Sequence, residues 1–246
     1  MLLLDVGNSA IKAQWWFDKE LKQTFSARYV PGWQSRFAAF LAEIKVENCY
    51  YSSVQKNALE SDLPGSLNQF FPTANMHKIT PLDSCHGVRN AYQPAEAIGV
   101  DRWLCLLGAA GLTQHDVMIV DAGSAITVDL LRADGQHLGG AILPGFNTPL
   151  DRFKQILHMA DFSHPDISKN DEPGCSTEAC IHIDYVPTDV AVVERLIDRW
   201  LERLGSDAAL IVTGGDAHRL QSGHYNHFRT VPDLVFRGML QQIAGI

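Results

Sequence analysis

Two short segments of the sequence combine an aspartate, a glycine and small polar residues directly after an apolar run. The first is Asp5-Val6-Gly7-Asn8-Ser9-Ala10-Ile11-Lys12. Its glycine lets backbone N–H groups approach a ligand, and its lysine adds a positive charge, so the loop can hold phosphate oxygens. Asp5 suits a direct or water-mediated ligand of a magnesium ion carried by a nucleotide. The alternative is an ordinary surface turn, because Gly, Asn and Ser are common turn residues.

The second segment, Asp121-Ala122-Gly123-Ser124-Ala125-Ile126-Thr127, repeats this plan about half a chain length later. We interpret the repeat as two similar halves, each of which opens with a hairpin. Two such loops at the ends of equivalent strands would face each other across a cleft and hold one polyphosphate from two sides. The sequence has no Walker A motif and no G-x-G-x-x-G fingerprint, which argues against a nicotinamide-dependent Rossmann enzyme.

A charged pair stands in the segment Gly99-Val100-Asp101-Arg102, near the start of a predicted apolar helix. A carboxylate can accept the proton of an attacking alcohol in phosphoryl transfer, and an arginine can pair with a substrate carboxylate. The alternative is a helix-start aspartate favoured by the helix dipole, followed by a surface arginine. The position of the pair in the sequence leaves both interpretations open.

The elements around these segments alternate between strands and helices, which indicates an α/β architecture. The predicted helices are Gln34–Ile44, Glu96–Leu112 and Asp189–Leu204, the last with Thr188 as N-cap and Gly205 as its stop. Strands are predicted at Cys49–Val54 and Ala208–Thr213, a glycine-rich turn at Leu138–Gly145, and a loop over residues 160–176.

Composition excludes several classes of protein. The 246 residues are 46% hydrophobic and 20% charged, which is ordinary for a globular chain. A net charge of −8 without a run of Lys or Arg argues against nucleic-acid and membrane-surface binding. The five cysteines show no C-x-x-C pattern, which argues against a zinc site or a disulfide framework. With no signal peptide and no apolar run of about 20 residues, we expect a cytoplasmic protein.

Together these segments resemble type III pantothenate kinases over most of the chain. Asp5–Lys12 and Asp121–Thr127 are similar to the two phosphate motifs of that family, and Gly99–Arg102 matches its G-x-D-R motif. Gly139–Gly145 matches its G-G-x-I-x-P-G stretch, and Thr213–Gly215 falls where the family has glycines on the adenosine side. Each motif alone is weak, but five in order at compatible spacing are specific.

The resemblance implies an α/β fold with two related actin/ribonuclease-H-like domains, here residues 1–115 and 116–246, and a nucleotide cleft between them. It implies ATP-dependent phosphorylation of pantothenate to phosphopantothenate, the first step of coenzyme A biosynthesis. It further implies a homodimer whose cofactors are Mg²⁺ and either K⁺ or NH₄⁺, with no nucleic acid and no membrane as partner.

The resemblance also assigns roles to individual residues. Asp101 would be the general base on the pantothenate hydroxyl, Asp121 would bind the monovalent cation, and Asp5 would bind Mg²⁺ through the nucleotide. The residues that would bind pantothenate are Tyr92, Gly99, Val100, Asp101, Arg102 and, from the partner subunit, Thr177. The residues that would bind the nucleotide are Asp5, Val6, Gly7, Asn8, Ser9, Ala10, Ile11, Lys12 and Ser124.

Two other functions compete with this one. The chain could be a kinase for another small hydroxy substrate, which a panel of substrates would test. It could also be a catalytically weak member of the family that acts as a regulatory or partner-binding protein. Loss of Asp5, Asp101 or Asp121 is expected of such a protein, and the presence of all three favours an enzyme.

Overall fold

The structure is a computed structural model that describes residues 1–55, 58–146, 173–177, 180, 190–220 and 228–244. The chain packs as two compact units, Met1–Thr80 with Gly99–Asp101, and Pro81–Ile98 with Arg102–Ile246. Each unit contains one five-stranded sheet. The strands of the first sheet all precede residue 115 and those of the second all follow residue 116, as predicted. The two compact units divide the chain elsewhere, after Thr80, Ile98 and Asp101, so a domain boundary between residues 115 and 116 stays a prediction.

The first unit is built on a sheet with the strand order β3-β2-β1-β4-β5. Its strands are β1 (Leu2–Val6), β2 (Ala10–Phe17), β3 (Glu20–Arg28), β4 (Asn48–Ser53) and β5 (Asn75–Lys78). The first three strands pair antiparallel, and β4 and β5 add in parallel, which requires the crossover helices α1 (Trp33–Ala42) and α2 (Ala58–Phe70). The predicted hairpin is confirmed. The helix predicted at Gln34–Ile44 and the strand predicted at Cys49–Val54 are also confirmed, with ends within two residues of the predicted ones.

The second unit repeats this arrangement with the strand order β10-β9-β8-β11-β12. A short hairpin, β6 (Ser84–Cys85) and β7 (Val88–Arg89), precedes its sheet, whose strands are β8 (Val117–Ala122), β9 (Ala125–Leu131), β10 (His137–Pro144), β11 (Ala209–Thr213) and β12 (Phe228–Thr230). Again three strands are antiparallel and two add in parallel. The repeated strand order confirms the predicted α/β class with two related halves.

One amphipathic helix, α4 (Val190–Leu204), covers the second sheet. Val193, Ile197 and Trp200 recur at helical spacing and are fully buried in the core of that sheet. Gly205 follows with a φ of 99°, the left-handed conformation that commonly ends a helix. The predicted helix and its stop are therefore confirmed, whereas the predicted N-cap, Thr188, lies outside the described residues.

The prediction of a glycine-rich turn at 138–145 is wrong, because this segment forms strand β10. A bulge lies between His137 and Gly139, and Gly139 has a φ of 107°. A Cβ on Gly140 would lie 2.2 Å from the carbonyl oxygen of Val128, so this glycine permits close approach rather than chain reversal. Of the predicted loop, residues 160–172 lie outside the described part of the chain, and Gly174 forms a bridge with Gly140.

The helix predicted at Glu96–Leu112 begins later than expected, as α3 (Val100–Ala110). Ile98 is extended and separates α3 from a short 3-10 turn at Ala95–Ala97. The helix packs closely on α5 (Leu234–Ala244), where a Cβ on Gly238 would lie 1.9 Å from a carbonyl oxygen of α3. Among the described residues, no helix is long and apolar enough to cross a membrane.

Candidate active site

The first loop, between β1 and β2, is held in place by hydrogen bonds to its backbone. The Gly7 N–H donates to the Ala10 carbonyl at 3.0 Å, which closes the turn. Gln55 donates from Nε2 to the Gly7 carbonyl at 2.7 Å, and the Tyr29 N–H donates to the Ser9 carbonyl at 3.1 Å. The loop therefore has a fixed backbone, as a binding loop for phosphate oxygens requires.

Asp5 occupies the next-to-last position of β1, opposite Lys12 on β2 and Ser52 on β4. The Ser52 hydroxyl donates to Asp5 Oδ1 at 3.4 Å. Burial raises the pKa of Asp5 and so does the charge of Asp101, whereas Lys12 and Ser52 lower it, and the resulting pKa is about 6. A bound cation would stabilise the ionised carboxylate, and carboxylate and hydroxyl oxygens are ligands that Mg²⁺ accepts, so these residues fit a magnesium ion.

The second loop, between β8 and β9, has the same kind of turn. The Gly123 N–H donates to the Ala125 carbonyl at 3.1 Å, and the Gly145 N–H donates to the Ser124 carbonyl at 3.2 Å. The loop thus has its own fixed backbone, as the repeated sequence predicts.

Asp121 stands at the end of β8, opposite Thr127 on β9 and Thr213 on β11. Gly214 has a φ of 91°, and a Cβ there would lie 2.5 Å from Asp121 Oδ1 and 2.4 Å from the Ala122 carbonyl oxygen. Only a glycine lets the backbone come this close to the carboxylate. Carboxylate, carbonyl and threonine oxygens together make a donor set that fits an alkali cation.

Asp101 lies in the first turn of α3 and belongs to the same compact unit as Asp5. Its negative charge is close enough to raise the pKa of Asp5. The structure thus brings together the predicted base and the predicted magnesium ligand. Of the other residues in this motif, Val100 is buried and Gly99 is half-buried.

Arg102 has a buried guanidinium group, only 4% exposed, so the alternative of a surface arginine is wrong. It binds Asp129 with two hydrogen bonds, from Nε to Oδ2 at 2.9 Å and from Nη2 to Oδ1 at 2.6 Å. Nη1 donates to the hydroxyl of Tyr92 at 2.7 Å. Two of the predicted pantothenate residues are therefore in direct contact, and their contact with substrate stays a prediction.

The charges in this network stabilise each other. Burial alone would raise the pKa of Asp129, but the charge of Arg102 and hydrogen bonds from His137 and Arg102 lower it to about 2. Burial likewise opposes the charge on Arg102, yet Asp129 holds the pKa of the guanidinium above its ordinary value. Both groups are ionised at neutral pH.

The segment that carries Thr177 lies beside the same network. The Cys180 Sγ is 3.0 Å from the Tyr92 hydroxyl and donates to the Gly174 carbonyl at 3.1 Å. Thr177 itself is half-buried. Its predicted role, contact with pantothenate bound to the partner subunit, stays a prediction.

Several residues near these loops were not predicted from the sequence. They are Ser52, Gln55, Asp129, His137 and Cys180. One signal in the sequence points to Asp129, because it is the one charged residue in strand β9 (Ala125–Leu131). The others reach the loops only through strand pairing or packing of distant segments, which the local pattern does not reveal.

Comparison with known proteins agrees with the resemblance found in the motifs. The profile of the family described as type III pantothenate kinase matches residues 1–199. A type III pantothenate kinase of Dichelobacter nodosus is 31% identical over 249 residues, covering 99% of this chain and 97% of that protein. One from Pseudomonas aeruginosa (strain PAO1) is 32% identical over 251 residues, covering 97% of each.

A solved structure supports the fold. A Campylobacter jejuni protein described as a Baf family transcriptional activator superposes with a TM-score of 0.51 at 24% identity, covering 99% of this chain and 98% of that chain. At this identity the similarity concerns the fold alone.

Proposed function

The chain belongs to the type III pantothenate kinase family, and on that premise we propose how its residues carry out the reaction. The protein is an enzyme that phosphorylates pantothenate in coenzyme A biosynthesis, with ATP as the phosphate donor. The observation that best supports the assignment of residues is the proximity of Asp5 and Asp101, the predicted phosphate-side and hydroxyl-side carboxylates, within one compact unit.

The nucleotide phosphates bind to the backbone and side chains of Asp5–Lys12 and to Ser124. Lys12 contributes a positive charge, and the fixed turns present N–H groups and hydroxyls. Asp5 holds Mg²⁺ through the nucleotide, and Asp121 holds K⁺ or NH₄⁺. When bound, Mg²⁺ neutralises part of the charge on the phosphates.

Asp101 acts as the general base. Phosphoryl transfer requires mainly positioning and charge stabilisation, and one group that accepts the proton of the attacking hydroxyl. Asp101 is partly buried in the first turn of α3, so the helix fixes its backbone. It accepts the proton as the hydroxyl oxygen of pantothenate forms its bond to the γ-phosphorus of ATP and the bond from that phosphorus to the departing ADP breaks.

Pantothenate is bound by Tyr92, Gly99, Val100 and Arg102, with the guanidinium near its carboxylate. Thr177 of the partner subunit completes the site, which makes the active protein a homodimer. A cytoplasmic location also stays a prediction.

The first experiment is an assay of pantothenate phosphorylation by the purified protein with ATP and Mg²⁺, in K⁺ and in Na⁺. We expect product in both solutions and a clearly higher rate in K⁺, because in this proposal Asp121 holds K⁺ or NH₄⁺. Absence of product from a folded protein that binds ATP would contradict the function. Equal rates in the two solutions would contradict the cation site.

The variant Asp101→Asn tests the base. Asparagine keeps the shape of the side chain but cannot accept the proton, so kcat should fall by about 10² to 10⁴-fold while the affinity for ATP changes little. Asp134→Asn, which removes an exposed carboxylate from a surface ion pair, is the control and should keep wild-type turnover. Wild-type turnover in Asp101→Asn would remove this residue from the role.

A further inference from the structure

The guanidinium of Arg102 is oriented by one carboxylate. Asp129 binds the edge formed by Nε and Nη2, and this two-point contact fixes the plane of the group. Nη1 then points at the Tyr92 hydroxyl, 2.7 Å away. The orientation of two proposed pantothenate residues therefore depends on a third residue, Asp129, which has no assigned role in the reaction.

Asp129 is in turn held by His137. His137 Nε2 lies 3.0 Å from Asp129 Oδ1, and Nδ1 accepts the Ala91 N–H at 3.4 Å. With Nδ1 an acceptor, the proton of the neutral imidazole is on Nε2 and is donated to Asp129. The imidazole also lies parallel to the Tyr92 ring, with a centroid distance of 6.2 Å and an interplanar angle of 2°. His137 thus contacts both Asp129 and Tyr92.

The ion pair has no space in which to move. A Cβ on Gly140 would lie 2.6 Å from Asp129 Oδ1 and 2.7 Å from Arg102 Nη2. Asp129 is 2% exposed, and His137 is 1% exposed. The position therefore needs a glycine, and the tight packing leaves the guanidinium a single orientation.

Stability alone does not account for this network. The cost of removing two charges from water often cancels their attraction, so well-packed apolar residues commonly stabilise a core as well as a buried ion pair does. What an ion pair adds is a defined geometry for polar groups. Here the groups whose geometry is defined are Arg102 and Tyr92.

We propose that Asp129, supported by His137, is a positioning residue for pantothenate binding that acts through Arg102 and Tyr92. The inference rests on the proposed function, because it takes those two residues as the substrate-binding ones. Asp129 touches neither the reacting hydroxyl nor the nucleotide in this scheme. It therefore controls the KM for pantothenate and not the chemical step.

The test is the steady-state kinetics of Asp129→Asn. Asparagine has nearly the same shape but no charge, and it can accept at one atom only, so the guanidinium loses its two-point support. We expect the KM for pantothenate to rise about 30-fold, with kcat and the KM for ATP within about threefold of wild type. Because KM does not depend on the fraction of enzyme that is folded, this readout is separate from any loss of stability.

A second variant tests the same inference with less disturbance. His137→Phe keeps a ring beside Tyr92 and removes the hydrogen bond to Asp129, so we expect a KM increase of about fivefold for pantothenate. Gln242→Leu is the control, because Gln242 accepts a buried hydrogen bond from Trp103 on the same helix as Arg102, at 2.9 Å. It should lower Tm and leave the KM for pantothenate unchanged.

The outcomes separate this inference from the proposed function. A wild-type protein that does not phosphorylate pantothenate would refute the function itself. An active wild type with an unchanged or lower pantothenate KM in Asp129→Asn would overturn the positioning role. If Asp129→Asn does not fold, a wild-type KM in His137→Phe overturns the role in the same way, as does an equal KM increase in Gln242→Leu.

Discussion

The hairpins at the centres of the two sheets share one backbone and differ in the side chains around it. In each, an aspartate stands next to last on the central strand, as Asp5 or Asp121, and a glycine follows two residues later. The N–H of that glycine donates to the carbonyl of the alanine that begins the next strand. The same turn is therefore built twice from nearly the same residues.

The positions opposite the aspartates are where the hairpins differ. Asp5 pairs with Lys12 on one side and Ser52 on the other, whereas Asp121 pairs with Thr127 and Thr213. The first loop thus has a cationic neighbour suited to phosphate, and the second has neutral oxygens suited to a weakly held cation. The repeated backbone preserves the location of a carboxylate, and in the proposed assignment the strand neighbours of that carboxylate select the ion that it would bind.

The adjoining parallel strands also differ. Strand β4 continues through Ser53, beside Val6, whereas β11 ends at Thr213 and is followed by Gly214 with a positive φ. The chain after β11 turns towards the second loop, and the Asp216 N–H donates to the Ala122 carbonyl at 2.9 Å. The glycine is needed for this approach.

The largest effect expected on stability is that of Gly214→Ala. The added Cβ would meet the Ala122 carbonyl at 2.4 Å in a conformation that L-residues rarely adopt, so the free energy of unfolding should fall by about 3 kcal/mol. Gly215→Ala is the matched control, because a Cβ there meets nothing within 4 Å. Denaturant unfolding measures both, and equal stabilities of the two variants would contradict the close approach.

A smaller effect is expected when the first loop loses the positive charge of Lys12. Lys12→Met keeps the length of the side chain and removes the charge, so the affinity for ATP should fall about tenfold, the loss of one charged contact. Thr127→Val changes the equivalent position of the second hairpin and should have less effect. Calorimetric titration of both variants with ATP tests this difference, and equal losses would mean that the two loops bind the phosphates alike.

An effect of the opposite sign, a gain in stability, is expected in Asp5→Asn. The folded-state pKa of Asp5, about 6, lies above its ordinary value, so the folded protein binds a proton that the unfolded chain releases as the pH rises. The ionised carboxylate therefore destabilises the fold above pH 6. Without nucleotide and Mg²⁺, Asp5→Asn should be more stable than wild type by up to about 3 kcal/mol at pH 8, and the difference should vanish towards pH 4.

Thermal unfolding across this pH range measures the effect. A destabilised Asp5→Asn at pH 8 would mean that Lys12 and Ser52 outweigh the cost of burial. In that case the carboxylates of the two hairpins would differ less than their neighbours suggest.

The elements that can be predicted from the sequence are those with a local pattern of residues. Apolar runs interrupted by turn residues predict both hairpins, helical periodicity predicts α4, and Gly205 at the end of that pattern predicts where α4 stops. The repeated Asp–Gly plan also revealed the two related halves. These features follow from short-range backbone preferences and from the burial of one face, which neighbouring residues specify.

The contacts between distant residues follow from the packing of the chain and have no local pattern in the sequence. The sequence around Arg102 is compatible with a surface arginine, whereas in the fold Arg102 is buried against Asp129. The glycines of β10 are typical of a turn, whereas in the fold Gly140 lies against the backbone of Val128. A charge can be buried only where its partner is supplied, and a glycine permits both a turn and a close contact. Both outcomes depend on residues far apart in the chain, and strand register and packing bring those residues together.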